Sequence, residues 1–244
     1  MGMTVNVAPR RPLLDPFNEL PAKRLLVTMM NTLEASTVLD SIPEKALTLN
    51  GSADTPPLST IYSTGGGLPY MAFNGTDQYL SIADAGWTQP LLATTVIAVI
   101  QPTANADEDV CGIWLTTTDK SWKLALTSAG ALAVHSTADG TTLKTDTEAS
   151  AITAGSWHMV AMRYVPGTSL TAWSALAGAA GSYTENTTTI NAGQKNTAGV
   201  LAIGAADAAL TAPYTGNISF VAVVGAALAY DHLDRLWAHM QQYI

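Results

Sequence analysis

From about Leu25 onward the chain is a series of short apolar runs separated by turn residues. Residues 70–73 and 79–82 flank an Asn74-Gly75 pair, the strongest short signal for a hairpin turn. Residues 94–100 form a β-branched run, and 110–115, 122–126 and 131–135 follow at strand length. Asp139-Gly140 separates the last of these from residues 141–145. Residues 157–165 alternate, turn at Pro166-Gly167 and return as 169–173; 200–203 and 217–224 complete the series. Many short strands with Gly, Pro, Asn and Asp between them predict an all-β, two-sheet antiparallel jelly-roll sandwich. Residues 174–199, rich in Thr, Ala and Gly, read as loops and an edge strand. The period changes only at the end, where Leu233, Leu236, Trp237 and Met240 share one helical face and Asp231 is the expected N-cap of a short C-terminal helix.

The first 24 residues follow neither pattern. Pro9, Pro12, Pro16 and Pro21 remove donors and fix φ, which predicts an extended arm over 1–24 ahead of a sandwich over 25–244. Arg10, Arg11, Leu13, Leu14 and Phe17 are its candidate contacts with a partner. The same prolines, with Asp15 and Glu19, interrupt any secretory signal, and no apolar stretch is long enough for a membrane helix.

Composition narrows the function classes. Only 12 % of residues are charged and the net charge is −8, with the basic residues scattered, so nucleic acid is not an expected partner. Cys111 is the single cysteine, so no intrachain disulfide forms, and its apolar neighbours predict a buried thiol. The four histidines make no metal-ligand spacing, and no nucleophile elbow or phosphate-binding loop is present. Asp107 and Asp109 stand in an i, i+2 relation that could put two carboxylates on one strand face, but a glycosidase on a β-sandwich needs a longer acidic alternation than this. These two aspartates are instead candidate ligand-binding residues. Calcium is a conceivable addition without a dedicated loop, and no cofactor is expected. Trp87 and Trp122 are the tryptophans expected to be exposed for stacking on a sugar ring, whereas Trp157 and Trp237 read as core.

Four blocks carry a family likeness. The segment 73–82, from Phe73 through Asn74-Gly75-Thr76-Asp77 to Ile82, resembles the hairpin of laminin-G-like, concanavalin A-like domains. Trp157-His158-Met159-Val160-Ala161, Tyr214-Thr215-Gly216-Asn217-Ile218 and the Ala227-Leu228 to Leu236 segment are similar to later blocks of the same family, in family order. The resemblance implies a concanavalin A-like sandwich used for carbohydrate or protein binding, with calcium in some members and glycosidases among related folds. Such domains act outside cells, yet no export signal is visible. A non-enzymatic accessory protein of a bacteriophage particle resolves that conflict. It would be made in the host cytoplasm, dock on other virion proteins of the head or tail through its arm, form a homo-oligomer and bind host surface polysaccharide. A free lectin or carbohydrate-binding module is the alternative, and a glycoside hydrolase the third.

Overall fold

The alternating runs form strands, and the arrangement of those strands leaves one sheet face covered and another open. The structure, a computed structural model, describes residues 23–28, 37–39, 46–51, 58–59, 70–83, 92–115, 118–149, 152–207 and 209–244. Its strands are β1 (Lys23–Thr28), β2 (Thr37–Leu39), β3 (Ala46–Asn50), β4 (Leu58–Ser59), β5 (Tyr70–Asn74), β6 (Tyr79–Ile82), β7 (Thr94–Pro102) and β8 (Glu108–Trp114). They continue as β9 (Lys120–Leu126), β10 (Leu132–Ser136), β11 (Lys144–Glu148), β12 (His158–Val165), β13 (Ser169–Leu176), β14 (Ser182–Asn186), β15 (Leu201–Ile203) and β16 (Thr215–Val224). The helix α1 spans Tyr230–Met240.

Among the described residues these make two eight-stranded sheets. The first runs β14-β13-β12-β7-β16-β5-β4, with β1 also paired to β16; the second runs β11-β10-β9-β8-β15-β6-β3-β2. Every ladder is antiparallel. This is the expected jelly-roll sandwich. Sequence neighbours such as β7 and β8 lie in opposite sheets, so the chain repeatedly crosses the core.

The main core lies between the sheets and includes Phe73, Leu80, Val96, Trp122, Leu124, Tyr164 and Val221. A second core lies outside the first sheet, where Ile97, Met159, Trp173 and Phe220 meet Leu233, Leu236 and Trp237 of α1. Trp237 is buried as expected, and its indole N–H donates to the Leu176 carbonyl at 3.2 Å. Trp157 is half-buried against the same outer cluster, together with the Met159 and Ala161 that alternate with it. Burying both faces of the first sheet explains why β7 is almost uniformly apolar.

Asn74-Gly75 turns the chain tightly but does not close the expected hairpin, because β5 joins the first sheet and β6 the second, each burying its apolar face in the shared core. Gly75 adopts φ +68, and a Cβ there would lie 1.8 Å from the Thr215 hydroxyl. Gly216 lets β16 pass the Gln101 carbonyl, which a Cβ would approach to 2.4 Å. Three further expectations shift. The helix N-cap is Ala229 and not Asp231: the Ala229 carbonyl accepts the His232 and Leu233 amides, and Asp231 pairs with Arg235 at 3.7 Å. The strand expected over 141–145 begins at Lys144, because Asp139 Oδ1 collects the Thr141 and Thr142 amides at 2.7 Å each and prolongs the turn. Lys23 and Arg24, assigned to the arm by sequence, already belong to β1, where Lys23 pairs with Val224 of β16. The other arm residues, including Arg10, Arg11, Leu13, Leu14 and Phe17, lie outside the described residues.

Candidate functional site

Among the described residues no helix packs on the β8–β11 half of the second sheet. There the pleat sends alternate side chains away from the inter-sheet core, and strand register lines them up in two rows. One row is Asp109, Ala125, Ala133 and Thr147; the next is Gly112, Lys123, His135 and Thr145. A register shift between Asp109 and Cys111 puts Val110 and Cys111 both into the core. Asp109 and Gly112 therefore share the outer face although they are three residues apart. Gly112 matters sterically, since a Cβ there would stand 2.7 Å from the Lys123 Cβ and 2.8 Å from the Trp122 carbonyl.

These rows floor and flank a cavity of about 320 Å³, closed at one end by Asp107, Thr127 and Ala212. Its floor is Ala125 and Ala133, so the sheet surface is low between polar walls. Lys123 Nζ donates to Asp109 Oδ1 at 2.7 Å. His135 Nδ1 and Thr145 Oγ1 are 2.9 Å apart. Thr147 is exposed at the rim on the edge strand β11. Beyond His135 stands Trp114, its ring centroid 6.0 Å from that of the imidazole. The ammonium groups of Lys120 and Lys123 each lie 5.1 Å from the Trp114 centroid.

Burial sets the charge states. Asp109 is almost fully buried, and desolvation raises its pKa although Lys123 pulls the other way; Asp207 adds to the rise. Desolvation also lowers His135, to about 4, and the nearby charges of Lys123 and Lys120 push in the same direction. At neutral pH the imidazole is uncharged, with one ring nitrogen donating and the other accepting. Glu108 lies on the other side of β8, its pKa raised by burial and partly restored by hydrogen bonds from Thr215. Among the described residues its Oε2 has no hydrogen-bond partner.

Asp107 and Asp109 do meet at the same cavity. Asp107 is exposed in the loop before β8 and accepts the Ser128 amide at 2.7 Å. Trp122 requires correction. It lies on the inward row with Ile113 and Ser136, is 0 % exposed and presents no ring face to a ligand. Trp87 lies outside the described residues. Sequence reasoning missed Trp114, Lys120, Lys123 and His135 as a group, because they converge only through cross-strand register. It also passed over Asp146 and Glu148, whose alternation in β11 is plain. These two face inward. Asp146 Oδ2 accepts the Ala172 amide at 2.8 Å and the Thr184 hydroxyl at 3.0 Å. Glu148 accepts the Ser174 and Ser182 hydroxyls at 2.9 and 3.1 Å. They latch the edge of one sheet to β13 and β14 of the other. Among the described residues no group of three His, Cys, Asp or Glu side chains could hold a metal ion, and no helix is long and apolar enough to cross a membrane.

The family described as the concanavalin A-like lectin/glucanases superfamily (Laminin_G_3) matches residues 74–233. No curated protein matches the sequence. Among solved structures, the chain is similar to the ligand binding domain of botulinum neurotoxin serotype D in complex with N-acetylneuraminic acid. That match has a TM-score of 0.65 and 11 % identity, and covers 89 % of this chain and 50 % of that one. It is similar to the binding domain of botulinum neurotoxin DC in complex with SialylT, with a TM-score of 0.63, 9 % identity and coverage of 94 % and 52 %. The same domain in complex with rat synaptotagmin II gives a TM-score of 0.62 at 9 % identity, covering 90 % and 52 %. The chain spans about half the length of these neighbours, and at such identities the likeness is one of fold.

Proposed function

We propose that this chain, which belongs to the concanavalin A-like lectin/glucanase superfamily, is a non-catalytic domain that binds carbohydrate on the open outer face of β8–β11. The observation that carries the reading is the cavity of about 320 Å³, floored by two alanines and rimmed by Asp109, Lys123, His135, Thr145 and Thr147. A saccharide offers hydroxyls that both donate and accept. It is recognised where fixed donors and acceptors border a shallow floor that lets the ring approach. Asp109 and Lys123 hold one another in place, and Thr145 orients His135, so the polar array is set before a ligand arrives. The structural neighbours captured with sialylated ligands fit this reading.

Hydrolysis is a poorer fit. A glycosidase needs a free acid and a free base or nucleophile facing one another across the scissile bond. Asp109 is committed to Lys123, Asp107 to the Ser128 amide, and Asp146 and Glu148 to donors inside the sandwich.

Binding is tested by titrating the chain with saccharides under NMR observation, together with Ala133→Trp, which fills the cavity floor. The expected result is saturable shifts confined to β8–β11 and their loss in the variant. Binding that survives Ala133→Trp, or no binding at all, overturns the proposal. We place this activity on a bacteriophage particle, with residues 1–22 as the docking arm onto other virion proteins. Deleting residues 2–22 is expected to abolish incorporation into density-banded particles while the sandwich stays folded. Normal incorporation, or presence of the chain only in the medium, favours a free lectin.

A further inference from the structure

We infer that the groove selects saccharides bearing a carboxylate, with the acid group held at Lys120, beside the groove, and the sugar hydroxyls turned toward Asp107. This rests on the saccharide-binding reading above and names its ligand class.

The two lysines differ. Lys123 is neutralised by Asp109 at 2.7 Å. Among the described residues Lys120 has no carboxylate partner, and its ammonium contact is the face of Trp114. An ammonium on a tryptophan face is weakly held and keeps donors to offer a second anion. Both ammonium groups over that ring also obstruct it as a platform for a sugar, so the groove reads charge and hydrogen bonds. His135 lies between the two ends, and the repulsion it feels from both lysines reports a positive local potential in a chain of net charge −8. A neutral ligand gains nothing from that potential, whereas a carboxylate does. At the opposite end of β8 the exposed Asp107 supplies acceptors suited to hydroxyl protons and repels an acid group, which fixes the orientation.

The test uses the full chain on an array of neutral and acidic glycans. Calorimetric titration then compares two pairs that differ only in charge: 3′-sialyllactose with its methyl ester, and trigalacturonate with its methyl ester. We expect at least one acid to bind about tenfold tighter than its ester, the size of one charge-assisted hydrogen bond. Raising the salt concentration should shrink that preference. Lys120→Gln, at a partly exposed position, is expected to bring the acid's affinity down to that of its ester while leaving the melting temperature in place. Lys120→Arg should restore it. Equal binding of acid and ester, neutral hits alone on the array, or a preference untouched by Lys120→Gln each overturns this inference. If neutral glycans still bind and Ala133→Trp abolishes it, the binding reading stands and only the acidic selectivity falls. If no glycan binds, both fall.

Discussion

The outer faces of the two sheets are built from the same strand geometry and carry opposite residues. On the first sheet, Ile97, Val99, Met159, Trp173, Phe220 and Ala222 point outward and are sealed by α1. On the second, the rows from Asp109 to Thr147 and from Gly112 to Thr145 point outward, and among the described residues no helix lies over them. The consequence is visible in the strands themselves. β7 is apolar on both faces, while β11 alternates exposed Thr145 and Thr147 with buried Asp146 and Glu148. One helix thus distinguishes the two faces: α1 adds a second core outside the first sheet, and the proposed recognition surface lies on the second. Substitutions on the two faces should separate these properties.

The largest effect is expected beneath the helix. Trp237 is nearly fully buried and anchors α1 to Leu176. Trp237→Ala should cost about 3–5 kcal/mol of unfolding free energy, read from chemical denaturation, because it leaves a cavity at the centre of the second core. Saccharide affinity measured well below the new melting point should stay unchanged. A loss of affinity in a folded protein would mean the two faces are coupled.

Gly112→Val strikes the open face where it is tightest. The new side chain collides with the Lys123 Cβ and the Trp122 carbonyl, both within 3 Å of the position a Cβ would take. Overpacking of this kind is expected to cost about 1–3 kcal/mol. Unlike the helix substitution, it should also abolish binding, since Lys123 can no longer hold Asp109.

The fold was legible in the sequence because burial imposes alternation, and turns impose Asn-Gly and Asp-Gly. Residues 157–173 yield their hairpin directly, whereas the Asn74-Gly75 turn, which reads as a hairpin along the chain, joins strands of opposite sheets. The site was legible only at Asp107 and Asp109. Asp109 reaches Lys123 through an irregular register in β8, and alternation counted along the chain cannot foresee a two-for-one pairing. Trp122 and Trp114 show the same limit. Trp114 follows the apolar Val110, Cys111 and Ile113, whereas Trp122 stands beside Asp119 and Lys120, so local composition favours Trp122 as the exposed one. The register places Trp122 inward with Ile113 and Trp114 on the outer face, where two lysines lie against its buried ring. Asp146 and Glu148 were overlooked for the opposite reason. A polar alternation normally marks a solvated face, and here it marks a seam closed by hydroxyls from the other sheet.

Acid should expose a further difference. The folded-state pKa of His135 lies near 4, below its ordinary 6.5. As pH falls from about 6.5 to 4 the unfolded chain takes up the proton first, so stability is lost across that window, by about 1–3 kcal/mol. Asp109 and Glu108 act in the opposite sense, since their raised values let the folded state take up protons before the unfolded one. His135→Gln should therefore flatten the decline seen between pH 6.5 and 4 in denaturation midpoints, leaving the opposing slope of the two acids. An unchanged pH profile would show that the imidazole is less shielded than the packing of Trp114, Lys120 and Lys123 implies.

The smallest effect on stability is the sharpest test of the division between the faces. Thr147 is exposed on an edge strand at the cavity rim. Thr147→Val keeps the β-branch and removes the hydroxyl, so stability should move by no more than about 0.5 kcal/mol. If the rim hydroxyl bonds a saccharide, affinity should nonetheless fall about 3- to 10-fold, the worth of one neutral hydrogen bond. Calorimetry on the variant and the parent, with matched melting curves, reads both quantities from the same samples. A drop in affinity at constant melting temperature places the ligand across β10 and β11. An unchanged affinity confines it to the Asp109–Lys123 end, where the pair of charges would have to provide the recognition without the threonines.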